Sequence, residues 1–341
     1  MSDLVMIACH GAPADHFATF APHLKGVQVY ASEIATEKFR SQGIEIRQSF
    51  STKGTDQDAL AEQIAKANSE AAYVLTDVGD SFDIKLQQAF KRHAPHVIRL
   101  AYYDNPEPFV PGGYSDVAAQ VMKLADKVLF ANVHLAKEEN HVGLGYFAVK
   151  DAKNMQERRA SNERDELRKK YGLQDQKVLV YFGGNNTTYF NDAFPAFLNM
   201  VKATDFSSYT LVIQQHPGAK KEQYENGKIA QWQKESTSQS APKLIFSTFD
   251  SSQAQVMADG ALYYQTSMSP QFGLAKIPAI QIGHEKYEDC MVKNNLTPSA
   301  TTAAELLAAL QNPRQLPDET KILDAVGYEE NWPERLKDVF K

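Results

Sequence analysis

Short apolar runs, each followed by a stretch with helical spacing, recur from the first residues of this chain onward. Leu4–Cys9, Val27–Tyr30, Ile44–Gln48, Ala72–Thr76, Val97–Ala101, Lys127–Ala131 and Gly143–Val149 read as strands. Helices are expected from near Ala14 and over Ile34–Ser41, Asp56–Ala71, Phe82–His93 and Val117–Ala125; Leu60, Ile64 and Ala67 show the spacing that makes one apolar face. The strand runs lack period-two alternation, so both faces of each strand are expected to be covered. That pattern predicts an α/β fold with a mostly parallel sheet.

The pattern then breaks. Lys150–Tyr171 is charge-rich, is built from good helix formers and is followed by Gly172. It reads as a solvated helix joining two domains. A second alternating block follows, with strands at Val178–Phe182, Tyr209–Gln214, Lys243–Ser247, Ala261–Gln265 and Pro278–Ile282. Its helices are expected at Asp192–Ala203, Lys221–Glu235, Ser251–Ala258, Pro270–Ala275 and Ala303–Leu310, with a helical tail at Pro333–Phe340. The expected division is therefore residues 1–150, a linker helix at 151–172, and a second Rossmann-like domain with its tail at 173–341.

Composition narrows the class. The chain has 341 residues, 43% hydrophobic and 23% charged, which suits two globular domains. No window is long and apolar enough for a membrane span. MSDLVMIACHG lacks the basic start of a signal peptide, so a cytoplasmic protein is expected. The net charge of −6 disfavours nucleic acid. Cys9 and Cys290 are too far apart in sequence for a zinc or redox motif.

Three strands of the second block end in loops of distinctive chemistry: Gly183-Gly184-Asn185-Asn186, Gln215-His216-Pro217-Gly218 and Thr266-Ser267-Met268-Ser269. In an open parallel sheet, ligands bind outside the carboxyl ends of the strands. Glycine lets backbone N–H groups approach a phosphate, His216 is a donor, and the hydroxyl pair precedes a helix start, where unpaired N–H groups favour anions. Together the loops favour a nucleotide mono- or diphosphate. The same residues also fit a tight turn, a loop histidine and a helix cap. Neither a P-loop nor a GxGxxG fingerprint is present.

VLVYFGGNN, QQHPG and YYQTSMSPQFGLAKIPAIQIG resemble the donor-binding loops of GT-B glycosyltransferases, whose two Rossmann-like domains face each other across a cleft. The resemblance implies nucleotide-sugar contacts at Gly183, Gly184, Asn185, His216, Pro217, Thr266 and Ser267, with Glu285 on the ribose. His216-Pro217 and Thr266-Ser267 are also similar to the motifs of bacterial sialyltransferases that bind a CMP-sugar; Asp77-Val78-Gly79-Asp80 is a loose match to their acidic motif. A Glu-x7-Glu pair of retaining members is absent, since Ile277 stands eight residues before Glu285. The implied function is inverting, metal-independent sugar transfer to a glycan or lipid-linked acceptor, with the nucleotide sugar as co-substrate and no other cofactor. A lipid-linked acceptor leaves peripheral membrane contact open. A sugar-nucleotide 2-epimerase of the same architecture and a non-catalytic binding protein are the alternatives.

An inverting transferase needs a general base from the first domain. His10 and His16 in the loop after the first strand are candidates, with Asp15 beside His16. Asp80, with Asp77, is the rival, although Asp80 also fits an N-cap. The Tyr102–Pro108 and Pro111–Tyr114 stretch has aromatics and acids suited to stacking on a sugar, or to a rigid proline-rich connector.

Overall fold

The structure, a computed structural model, describes residues 4–107, 113–184, 186–204, 206, 208–216, 224–235, 243–283 and 288–341. Asn185, Pro217 and Glu285 lie outside these residues. The chain divides into two compact units: Met1–Phe147 with Val326–Lys341, and Ala148–Ala325.

Unit 1 is built on a 7-stranded parallel sheet. In chain order its strands are β1 (Leu4–Ala8), β2 (Val27–Ser32), β3 (Gln48–Phe50), β4 (Tyr73–Thr76), β5 (Ile98–Tyr103), β6 (Lys127–Phe130) and β7 (His141–Gly143). They lie in the order β3-β2-β1-β4-β5-β6-β7. Every residue of β1 is buried, because helices cover both faces of the sheet. This explains the unbroken apolar runs in the sequence.

Unit 2 repeats the plan with six strands: β8 (Lys177–Phe182), β9 (Tyr209–Gln214), β10 (Lys243–Phe246), β11 (Gly260–Tyr263), β12 (Ala279–Ile282) and β13 (Ser299–Ala300). Their order is β10-β9-β8-β11-β12-β13, again all parallel. In each unit the first strand stands between the second and the fourth. The crevice where strand order reverses therefore lies at β1/β4 and at β8/β11.

Two expectations about the division change. The charge-rich stretch forms two helices, Val149–Ala160 and Glu163–Lys170, and they belong to unit 2. Arg159 donates to the carbonyls of Gln255, Val256 and Ala258 at the end of the Ser251–Met257 helix. Arg164 and Arg168 pair with Asp259, whose Oδ2 also accepts from the Val178 amide at 2.7 Å. Cations at a helix carboxyl end complement its dipole, so the stretch is a clamp on unit 2. The tail, expected with the second domain, joins unit 1: Leu336 and Val339 enter its core, and Arg335 Nε donates to the Gly143 carbonyl at 2.8 Å.

Ile44–Arg47 is a connector, and the strand expected over Ile44–Gln48 begins only at Gln48. Gly43 takes a φ of 72°, and the Ile44 amide returns to the Phe39 carbonyl, closing the preceding helix. The expected Gly143–Val149 strand ends at Gly143, and a turn follows at Gly145, where φ is 79°. Among the described residues, no helix is long and apolar enough to cross a membrane.

Candidate functional site

The β1/β4 crevice of unit 1 gathers charge. Asp77 follows β4 and is fully buried. Its Oδ2 accepts from the Cys9 amide at 2.9 Å, the His10 amide at 2.8 Å and His10 Nδ1 at 3.1 Å. The other face of the imidazole meets Asp80, with Nε2 3.5 Å from Oδ2. Asp83 Oδ2 stands 3.7 Å from Nδ1. Glycine is required at 79 because a Cβ there would fall 2.1 Å from His10 Cε1. The ring thus lies against bare backbone.

Asp80 and Asp83 also start the Ser81–His93 helix as a capping box. The Phe82 amide donates to Asp80 Oδ1 at 2.6 Å, and the Gly79 and Asp80 amides donate to Asp83 Oδ2. The same acids that cap the helix therefore fix the histidine.

Burial works against charge on His10, but the Asp77 and Asp80 hydrogen bonds and the surrounding carboxylates outweigh it and hold the imidazole at about 11. At neutral pH it is a cation and a donor, not the free base that the sequence reading sought. Asp83 is raised well above an ordinary carboxyl by burial and then by the Asp77 charge. Asp80 is lowered, chiefly by its His10 bond. Asp104, following β5, is raised to about 6 by burial and the Asp77 charge. Burial, followed by the nearby acids, pushes the Cys9 thiol up, so it is no nucleophile.

Two ligand sets have donor atoms within 4.8 Å of one another: Cys9, Asp77 and Asp83; and His10, Asp80 and Asp83. A cation in either would compete with the His10 imidazolium for the same carboxylates.

His16 is placed differently. Its Nδ1 is 2.7 Å from the Tyr102 hydroxyl, and its ring packs on Phe20, Tyr102 and Tyr146. Burial lowers it to about 4, leaving a neutral, weakly basic imidazole. Asp15 turns to Lys38 Nζ at 2.8 Å. Tyr102 and Tyr103 are buried in unit 1 and offer no face for stacking on a sugar. Residues 108–112 of that stretch lie outside the described residues.

In unit 2, β9, β8 and β11 are neighbours, so the structure sets the three distinctive loops side by side. Asn186 Nδ2 donates to Gln265 Oε1 at 2.8 Å, spanning the β8/β11 crevice. The glycine pair is needed for close approach. A Cβ at Gly183 would meet Glu225 Oε1 and the Tyr189 hydroxyl at 2.8 Å, and one at Gly184 would meet the Tyr189 ring at 2.9 Å. Tyr189 donates to Glu225 Oε1 at 3.1 Å, and Gln215 Nε2 donates to Glu225 Oε2 at 2.9 Å. Glu225, fully buried, thus ties the first two loops together.

His216 is half-buried, and burial lowers its pKa. Thr266 Oγ1 accepts from the Met268 amide at 3.1 Å, a local turn. Ser267 is exposed. The following helix, Ser269–Leu274, has no side-chain cap.

Sequence reasoning singled out His10 and Asp80 but missed the partnership that joins them. Asp77, Asp83 and Asp104 sit at one end of one sheet only because β1, β4 and β5 are neighbours. Tyr189 and Glu225 gave no signal, being ordinary residues of helix-forming stretches.

No protein-family model matches the chain, and no curated protein matches it by sequence. Solved structures do match. The UDP-GlcNAc 2-epimerase of Neisseria meningitidis, bound to UDP-GlcNAc, is 8% identical with a TM-score of 0.67, covering 98% of this chain and 98% of that one. Staphylococcus aureus MnaA, in a co-structure with UDP, is 13% identical with a TM-score of 0.66, covering 98% and 94%. A glycosyltransferase from Rickettsia africae ESF-5 is 10% identical with a TM-score of 0.59, covering 100% and 95%. At such identities the likeness is one of fold: two α/β units, each on a parallel sheet, match the GT-B fold of UDP-GlcNAc 2-epimerases and a glycosyltransferase.

Proposed function

We propose that the protein is a nucleotide-sugar enzyme that inverts the sugar at C2, with a UDP-N-acetylhexosamine as substrate. The observation that carries this reading is the acid cluster at the β1/β4 crevice, whose members have been driven apart in proton affinity. Inversion at C2 requires one group to remove the C2 proton as the C–H electron pair forms a C1=C2 double bond and UDP leaves C1, and another to return a proton to the opposite face of C2 as UDP adds back at C1. Asp80, exposed and held low by His10, is the base. Asp104, raised to about 6, is the acid. Paired carboxyls with separated proton affinities suit such a division of labour. His10 and Asp77 act by positioning Asp80 and by fixing the local charge.

In this reading the loops after β8, β9 and β11 bind the nucleotide. The backbone N–H of Gly184, the His216 ring and the Thr266 and Ser267 hydroxyls are the donors for its phosphates, whereas the Gly183 N–H is already held by the Gln214 carbonyl at 2.9 Å and Gly183 contributes only close approach. Neighbours bound to UDP and UDP-GlcNAc support this assignment. The second reading is sugar transfer, supported by the Rickettsia africae likeness; there Asp80 serves as base for an acceptor hydroxyl.

Proton exchange separates the two. The protein is incubated with UDP-GlcNAc in deuterated water and followed by NMR. Deuterium entering C2, with appearance of the 2-epimer, is the expected result. Asp104→Asn should lower exchange about 100-fold or more, the low end of general acid–base contributions, while UDP still binds. UDP release without C2 exchange, accelerated by added glycan acceptors, would overturn the epimerase reading in favour of transfer.

A further inference from the structure

Unit 2 contains a second cavity, at the opposite edge of its sheet from the glycine and hydroxyl loops. It opens among the first residues of four parallel strands: Lys177, Tyr209, Gly260 and Ala279. Its volume is about 230 Å³. An engineered apolar cavity of about 150 Å³ already takes a benzene-sized ligand. The lining is mostly apolar and includes Leu179, Leu262, Ile280 and Leu310.

One wall is the segment 312–318, which joins the Ala303–Gln311 and Glu319–Ala325 helices. Pro313 and Pro317 have no N–H to pair, and the segment bears on the cavity through side chains. Two exposed cations, Lys177 and Arg314, stand in the lining. Lys177 Nζ lies 5.9 Å from the Tyr209 ring centre, and Arg314 Nη1 donates to the Asn295 carbonyl at 3.4 Å. Among the described residues, neither forms an ion pair. Asp259, also in the lining, is already neutralised by Arg164 and Arg168.

A largely apolar chamber with two cations that lack carboxylate partners among the described residues complements one kind of ligand. We propose that this cavity binds an aliphatic carboxylate, a fatty-acid-sized amphiphile whose chain lies between the strand ends and the proline segment and whose carboxylate meets Arg314 and Lys177. The chain supplies affinity by leaving water, and the cations select the anionic head. The proposal is independent of the nucleotide reading, since none of the phosphate-binding candidates lines this cavity.

The test is calorimetric titration of the intact protein with octanoate, octanol and acetate. Saturable binding of octanoate, weaker binding of octanol and none of acetate is expected. Ala309→Phe, which projects a ring from the cavity wall, should abolish octanoate binding, with circular dichroism confirming the fold. Arg314→Glu, at an exposed position, should weaken octanoate by about tenfold or more and leave octanol within about threefold. Absence of saturable octanoate binding would overturn the site. So would binding unchanged in a folded Ala309→Phe variant. Octanoate affinity untouched by Arg314→Glu and Lys177→Glu would overturn the assignment of the head group.

Discussion

The two units share a strand order and differ in what they place at its reversal. At β1/β4, unit 1 concentrates three aspartates around one imidazole and one bare glycine. At β8/β11, unit 2 places glycines, an Asn–Gln bridge and short hydroxyls, tied down behind by a tyrosine, a glutamine and one buried glutamate. The first arrangement holds protons at separated affinities. The second presents neutral donors. One topology therefore carries acids around an imidazole in one copy and neutral donors in the other, because the fold fixes where loops emerge and leaves their chemistry free.

The chain's two tryptophans allow each unit to be followed alone, since Trp332 packs against the core of unit 1 and Trp232 lies in that of unit 2. The largest effect is expected from Asp77→Ala. It strips the His10 imidazolium and two amides of their acceptor and should cost about 3–5 kcal/mol, the range for breaking a buried charged pair. Urea unfolding watched at Trp332 should register the loss, and the Trp232 signal should not move; equal shifts at both would mean the units do not melt separately.

Gly79→Ala should cost about 1–3 kcal/mol, because the new methyl must displace the His10 ring. NMR titration of the imidazole checks the cause, since its pKa should fall from about 11 towards the ordinary value. The third prediction concerns pH. His10 has a folded-state pKa above its unfolded 6.5, so its contribution is fully present below that value and is lost as pH rises towards about 11. The stability gap between wild type and His10→Asn should therefore close progressively over that window; a gap flat from neutral to alkaline pH would refute the charged pairing.

In unit 2, Tyr189→Phe removes one donor to Glu225 and should cost about 1 kcal/mol, read at Trp232. Asn186→Ala breaks the exposed bridge to Gln265 and the 2.8 Å bond that its Oδ1 accepts from the Tyr189 amide, and should cost about 0.5–1 kcal/mol, the lower part of the range for a lost helix-start cap. If the loops bind a nucleotide, the same variant should nonetheless weaken UDP several-fold in a thermal-shift titration.

Much of this contrast was legible in the chain. GGNN, QHP and TSMS follow apolar runs, so their place at strand ends followed from periodicity alone. His10 and Asp80 could be singled out for the same reason. Their actual states could not. His16, beside Asp15 in sequence, pairs with Tyr102 in space, while Asp15 pairs with Lys38. Neighbours on a helix do not face each other, so sequence adjacency was a poor guide to the imidazole's partner.

The sequence by itself determined the alternation of strand and helix, the covering of both sheet faces and the loops in which chemistry would lie. These are consequences of local periodicity and of glycine, proline and capping residues. Only the tertiary structure decided which loops are neighbours, that the charged stretch clamps unit 2, and that residues 326–341 complete unit 1. It also decided that His10 is a cation and His16 a neutral ring. The physical reason is that proton affinity depends on burial and on charges a few ångströms away. Those neighbours, such as Asp77 lying 67 positions from His10, are set by strand order and not by position in the chain.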